Sequence, residues 1–331
     1  MTSASAVAGR TRSAARPPRC SRGRGSLPSS TMSSAEQQVR TVEVPGAVLA
    51  VHRPADDGAA DGREPGLFVH GLGGSAANWQ ALMDRLGGHV DGEAVDLPGF
   101  GRSHPPTDGN LTVSGHVRAV IGYLEASGRG PVHLFGNSLG GAVAVRLAAV
   151  RPDLVRSLTL VSPALPELPP QHSAWPTGLL AVPGVPAVLR RLSAGGRDAE
   201  AATEDLLRLV YGHPDSLSPE TRAQAVAEYR HRLEVPHAMQ ALVGSARGIV
   251  SAYTERGDQA LWRQAERVEA PVLLVYGLRD KLVSYRSARR ACAAFADARL
   301  LVLPESGHVA MLEHPDEVAR AVRELIAHTT G

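Results

Sequence analysis

The 331-residue chain, 43% hydrophobic, carries a formal net charge of +2, a length that admits one large domain or two ordinary ones with a sizeable core. Arg10, Arg12, Arg16, Arg19, Arg22 and Arg24 stand in residues 1–31 with no acid. The positive balance therefore belongs to that stretch, and the mildly acidic remainder makes no case for nucleic-acid binding.

Residues 1–35 are predicted to be a disordered basic tail, rich in small and polar residues and poor in large apolar ones. Three readings of it stay open: an organelle transit peptide, a disordered extension, or untranslated sequence before a start at Met32. Cys20 and Cys292 are the only cysteines, too few for a disulfide framework, which points to a reducing, cytoplasmic compartment. No run reaches the roughly 18 to 20 apolar residues of a membrane span. Residues 178–192 come nearest, and Pro183 and Pro186 interrupt them.

Residues 40–44 and 47–52, separated by Pro45 and Gly46, read as a hairpin. Leu67 to Val69 then form a buried-strand run that stops at His70-Gly71-Leu72-Gly73-Gly74, before a helix carrying Trp79, Leu82, Met83 and Leu86. Ala94 to Leu97 read as the next strand, ending in Pro98-Gly99-Phe100-Gly101-Arg102-Ser103. The helix after it puts Val113, Val117, Val120, Ile121 and Leu124 on one face. Val132 to Phe135 run into Gly136-Asn137-Ser138-Leu139-Gly140-Gly141 and at once into helix formers, giving strand, sharp turn, helix. Residues 155–161 read as another strand.

From residue 163 to 255 the chain is proline-punctuated and then helical in pattern. One helix carries Leu206, Leu207 and Val210 and stops at Gly212. A second opens with Ser218 as cap and Pro219 in its first turn. The third aligns Met239, Leu242, Val243, Ala246, Ile249 and Tyr253. Strand and helix alternation resumes with Val272 to Tyr276, a helix near 286–295, Leu300 to Leu303, and a last helix with Val318, Val322, Leu325 and Ile326 inward. The division is thus a tail (1–35), an α/β core in two parts (36–162 and 256–331) and an inserted helical cap (163–255), over a mostly parallel eight-stranded sheet.

A serine hydroxyl is a poor nucleophile near neutral pH and needs a base, which needs an orienting acid. Asp280, after the strand ending at Tyr276, and His308, after the following strand, stand at the carboxyl edge of the sheet, as Ser138 does. The expectation is Ser138 as nucleophile, His308 as base and Asp280 as its orienting acid. Leu139 N–H and Leu72 N–H are the expected donors to an oxyanion. His70 reads as a scaffold for its loop and Asp96 as a brace for the turn after it. Met239 and Leu242 are the candidate pocket residues. No metal cluster, nucleotide loop or cofactor motif is present, so no cofactor is expected.

These residues resemble the α/β-hydrolase superfamily, in the group with a helical cap. The resemblance covers roughly residues 40–328 and includes Asp280, Gly307-His308, Glu313 and Pro315. It implies a serine hydrolase of esterase or lipase type acting on a small to medium, largely apolar acyl substrate. The Asn137-Ser138 pair and Pro98-Gly99-Phe100-Gly101 are similar to hydrolases that split carbon–carbon bonds. Gly73-Gly74-Ser75 and Val309 depart from that subgroup's usual residues. A carbon–carbon hydrolase, a peracid-forming relative and a non-catalytic binding protein of this fold remain the alternatives. The oligomeric state is left open.

Overall fold

The computed structural model describes residues 38–54, 62–167 and 198–329. The expected tail, residues 178–192 and part of the expected cap lie outside the described residues. Strands β1 (Gln38–Val44), β2 (Ala47–Arg53), β3 (Glu64–Val69), β4 (Val90–Val95), β5 (Val132–Asn137), β6 (Val155–Val161), β7 (Val272–Gly277) and β8 (Ala298–Leu303) form one sheet. Its order is β1-β2-β4-β3-β5-β6-β7-β8. β2 runs antiparallel to both neighbours, and every other pairing is parallel. The parallel strands therefore deliver their following loops to one edge.

The period of two within each strand divides the core between the two faces of the sheet. Leu67, Val69 and Leu134 join the cluster under helices α2 (Val113–Ser127) and α3 (Leu139–Val150). Phe68 and Phe135 point to the other face, beneath α1 (Gln80–Leu86), and stack with ring centroids 4.0 Å apart. Removing such a ring costs about 3–5 kcal/mol.

Several strands extend beyond their expected bounds, β1 among them, which begins at Gln38. β4 begins at Val90 and stops at Val95, so Asp96 and Leu97 belong to the turn; the polar Asp91-Gly92-Glu93 start conceals it. β3 begins at Glu64, with Pro65 and Gly66 masking its first half, and β8 begins at Ala298.

Between β6 and β7 stand α4 (Ala199–Val210), α5 (Pro219–Glu234) and α6 (Ala238–Thr254). Ser218 Oγ accepts Thr221 N–H at 3.2 Å, and Pro219 opens α5 as expected. Small α6 residues, Ala241, Ser245, Gly248 and Ala252, are buried. A Cβ on Gly248 would stand 2.7 Å from Leu111 O, so no larger residue fits that seam. Ser245 Oγ lies 2.9 Å from His116 Nε2 of α2. Helices α7 (Leu261–Ala265), α8 (Ala288–Ala294), α9 (Ala310–Glu313) and α10 (Pro315–Thr329) complete the described fold, and Val318, Val322, Leu325 and Ile326 of α10 are buried. Among the described residues no helix is long and apolar enough to cross a membrane.

Candidate active site

β5 ends at Asn137 and α3 begins at Leu139, so Ser138 alone makes the reversal. Its φ of 51° and ψ of −113° are strained for a residue with a Cβ. Backbone bonds hold it there. Ser138 N–H donates to Val161 O at 3.1 Å, while Ser138 O accepts Ala142 N–H at 3.1 Å and Ala164 N–H at 2.9 Å. Glycine is needed on either side because a Cβ at Gly136 would strike Gly140 O, and one at Gly140 would strike Val69 O. Ser138 itself stays half-buried.

His308 Nδ1 and Asp280 Oδ2 stand 2.9 Å apart, both residues buried. Asp280 Oδ1 accepts Leu282 N–H at 2.8 Å and Val283 N–H at 3.0 Å. Burial alone would raise the Asp280 pKa. The charge and hydrogen bond of His308, with the backbone donors, outweigh it and hold the carboxyl below its usual range. A carboxylate only accepts, so Nδ1 carries a proton toward Asp280, and in the neutral ring that tautomer leaves the lone pair on Nε2. Asn137 Nδ2 donates to Val161 O at 3.0 Å and to His308 O at 3.1 Å. The residue before Ser138 is thereby tied to the His308 backbone.

The His70 loop passes against this elbow: a Cβ on Gly71 would lie 3.2 Å from Ser138 Cβ. Gly74 N–H closes the turn on Gly71 O at 3.1 Å, and Gly73 takes a φ of 70°. That bond leaves Leu72 N–H outside the turn's own pairing. Leu139 N–H opens α3 and has no carbonyl one turn back to bond. His70 Nε2 accepts Leu97 N–H at 2.9 Å, so Nδ1–H donates to Gly71 O at 2.7 Å. Burial lowers the His70 pKa and keeps the ring neutral, the state in which it holds both loops. Asp96 is committed elsewhere: Oδ1 accepts Ala76 N–H at 2.7 Å, Oδ2 accepts Arg102 N–H at 2.9 Å, and His52 Nε2 lies 2.9 Å from Oδ2.

Glu313 links what the sequence left apart. Oε1 accepts Gly307 N–H and Oε2 accepts Gly212 N–H, each at 2.7 Å, while His308 N–H donates to Val210 O at 2.7 Å. The end of α4 thus rests on the His308 loop. The only sequence signal for Glu313 was its place in the resembling set.

A cleft beside the Gly71–Gly74 turn is lined by Gly73, Gly99, Phe100, Arg232, Ala238 and Leu242, among others, but not by Ser138 or His308. Leu242 approaches the Gly73 Cβ position at 3.3 Å. Met239, grouped with it in the sequence, is 47% exposed and outside that lining. The inward face of α6 is its small-residue face, which turns the Met239 edge toward solvent.

The profile of the α/β hydrolase fold family matches residues 67–315, and the chain belongs to that family. It is 29% identical over 260 residues to the pimeloyl-[acyl-carrier protein] methyl ester esterase of Neisseria meningitidis serogroup B, covering 78% of this chain and 91% of that one. It is 28% identical over 260 residues to the dihydrolipoyllysine-residue acetyltransferase component of the acetoin cleaving system of Cupriavidus necator, covering 77% of this chain and 62% of that protein's length. Among solved structures, the meta-cleavage product hydrolase of Pseudomonas fluorescens IP01 shares 20% identity at a TM-score of 0.69, covering 87% of this chain and 97% of that one. The architecture is the α/β-hydrolase fold, a mostly parallel eight-stranded sheet flanked by helices.

Proposed function

We propose that the protein is a serine hydrolase that cleaves a small to medium ester with a largely apolar acyl chain through an acyl-Ser138 intermediate. The observation that carries this reading is the strained Ser138 elbow, joined through Asn137 to a His308 whose Nδ1 lies 2.9 Å from Asp280 Oδ2. In this reading His308 Nε2 takes the Ser138 proton as Oγ attacks the carbonyl carbon. The Leu72 and Leu139 N–H groups receive the developing oxyanion, a contribution worth about a hundred- to a thousandfold in turnover per donor. The imidazolium returns its proton to the departing alcohol, and a water activated by His308 then frees the acid and restores Ser138. Asp280 stabilises the imidazolium and holds its tautomer.

The methyl ester esterase named above supports ester chemistry at this site. The helices α4–α6 act as a cap: contacts of α5 and α6 with Gly73 and Gly99 support placing it over the same edge as Ser138. Labelling by a fluorophosphonate, mapped to Ser138, tests the nucleophile; absence of labelling sinks the reading. An ester panel of graded acyl length beside a vinylogous diketone separates ester from carbon–carbon cleavage, and turnover of the diketone alone would overturn the ester assignment.

A further inference from the structure

We infer that the Arg232 guanidinium receives a carboxylate carried by the substrate that Ser138 attacks, so that the preferred ester has an apolar chain ending in an acid. The inference rests on the Ser138 reading and narrows its substrate class.

Arg232 stands in the last turn of α5, and its Nη1 lies 3.4 Å from the Gly73 Cβ position. Gly71, on the other side of that four-residue turn, lies against Ser138. Cation and nucleophile therefore flank one turn.

The half-buried Arg232 has no ion pair or side-chain hydrogen bond among the described residues. The contrast with other half-buried or buried arginines is plain: Arg129 pairs with Asp91 and Glu93, Arg146 with Glu255, and Arg222 with Glu204. Glu228, one turn earlier on α5, attracts Arg232 from beyond ion-pair distance. Burial lowers the Arg232 pKa, and its charge in turn lowers that of His70. The positive field thus reaches the loop that carries Leu72. Complementing the carboxyl end of α5 would explain a basic residue there. That role is met equally well in solvent, and it does not require turning the guanidinium into the cleft.

The rest of the lining suits the ligand's chain. Phe100, Ala238 and Leu242 offer apolar contact, and Glu228 and His231 bring further polar groups. A carboxylate seated on Arg232 would meet repulsion from Glu228, which gives the proposal a second, opposite lever.

Monomethyl adipate and dimethyl adipate, matched in shape and differing in charge, test it. In the wild type kcat/KM should favour the monoanion, and the ratio should fall roughly ten- to a hundredfold in Arg232→Met, the worth of a charge-assisted hydrogen bond. Arg232→Lys should retain part of the ratio, Glu228→Gln should raise it, and added salt should lower it. Calorimetric binding of the same pair to Ser138→Ala protein reads the preference without turnover. A ratio unmoved by Arg232→Met, or lowered by Glu228→Gln, overturns the inference. Failure of fluorophosphonate labelling instead overturns the Ser138 reading, and the calorimetric comparison still decides Arg232.

Discussion

Gly212 N–H donates to Glu313 Oε2 at 2.7 Å, while the other oxygen of that carboxylate accepts the N–H of Gly307, the residue before His308. One side chain therefore fixes both the end of α4 and the loop of the proposed base. Glu313→Ala would leave two amides without their acceptor, at about 1–3 kcal/mol each where they stay buried. The expected result is a lower melting temperature together with reduced kcat. Glu313→Gln keeps one acceptor oxygen and should recover part of both. Full kcat in Glu313→Ala would show that the loop holds its place without this carboxylate.

Ser138→Ala should abolish ester turnover while the fold persists, because alanine fits the space of serine. His308→Ala should be nearly as severe. The double variant should lose little more than either single one, since the residues act as a unit. Losses that multiply in single-turnover assays would argue for independent roles.

Asp280→Asn should lower kcat on the order of ten-thousandfold, by analogy with the same change in a known triad. An amide cannot both accept from His308 Nδ1–H and keep the charge that stabilises the imidazolium. Circular dichroism and melting temperature should report a folded variant; a loss of only a few fold would remove Asp280 from the mechanism.

Leu242→Ala should shift preference along an acyl-length series by about 1–3 kcal/mol in transition-state binding. Met239→Ala should leave the profile in place, because Met239 is 47% exposed. The reverse pattern in kcat/KM would show that the chain runs along the outer edge of α6 instead.

His116 gives a pH dependence with a definite sign. Burial lowers its pKa from 6.5 to about 3, so the folded ring stays neutral where the unfolded one takes a proton. Its contribution to stability is full above about pH 6.5 and is lost progressively as pH falls toward 3. The melting temperature should fall across that window, and His116→Gln should make the fall shallower. A slope unchanged by the substitution would assign the acid sensitivity to other groups.

The alternation of strands and glycine loops was readable in the sequence because buried parallel strands are short and apolar, and each ends in a turn with few allowed residues. Gly136-Asn137-Ser138-Leu139-Gly140 specified its own elbow for that reason. Contacts between distant segments were not readable. Glu313 looks like any acid at the end of a short helix, and Arg232 like one of several basic residues closing α5. The α6 stripe misled on one edge because hydrophobicity marks Met239 and Leu242. Packing against Leu111 and Gly99 instead selects the smallest side chains, Ala241, Gly244 and Gly248.

The bond from Asn137 Nδ2 to His308 O joins residues 171 positions apart. A chain emerging from the ribosome would have formed the strand and helix around Ser138 long before the partner loop existed. Contacts of such separation form late, once loop closure has been compensated by other structure. The serine would therefore be sterically set early yet chemically inert until β8 and the segment after it had docked. Reactivity toward a phosphonate would then report completion of the fold itself, and a stalled or truncated chain would have no hydrolase activity to release.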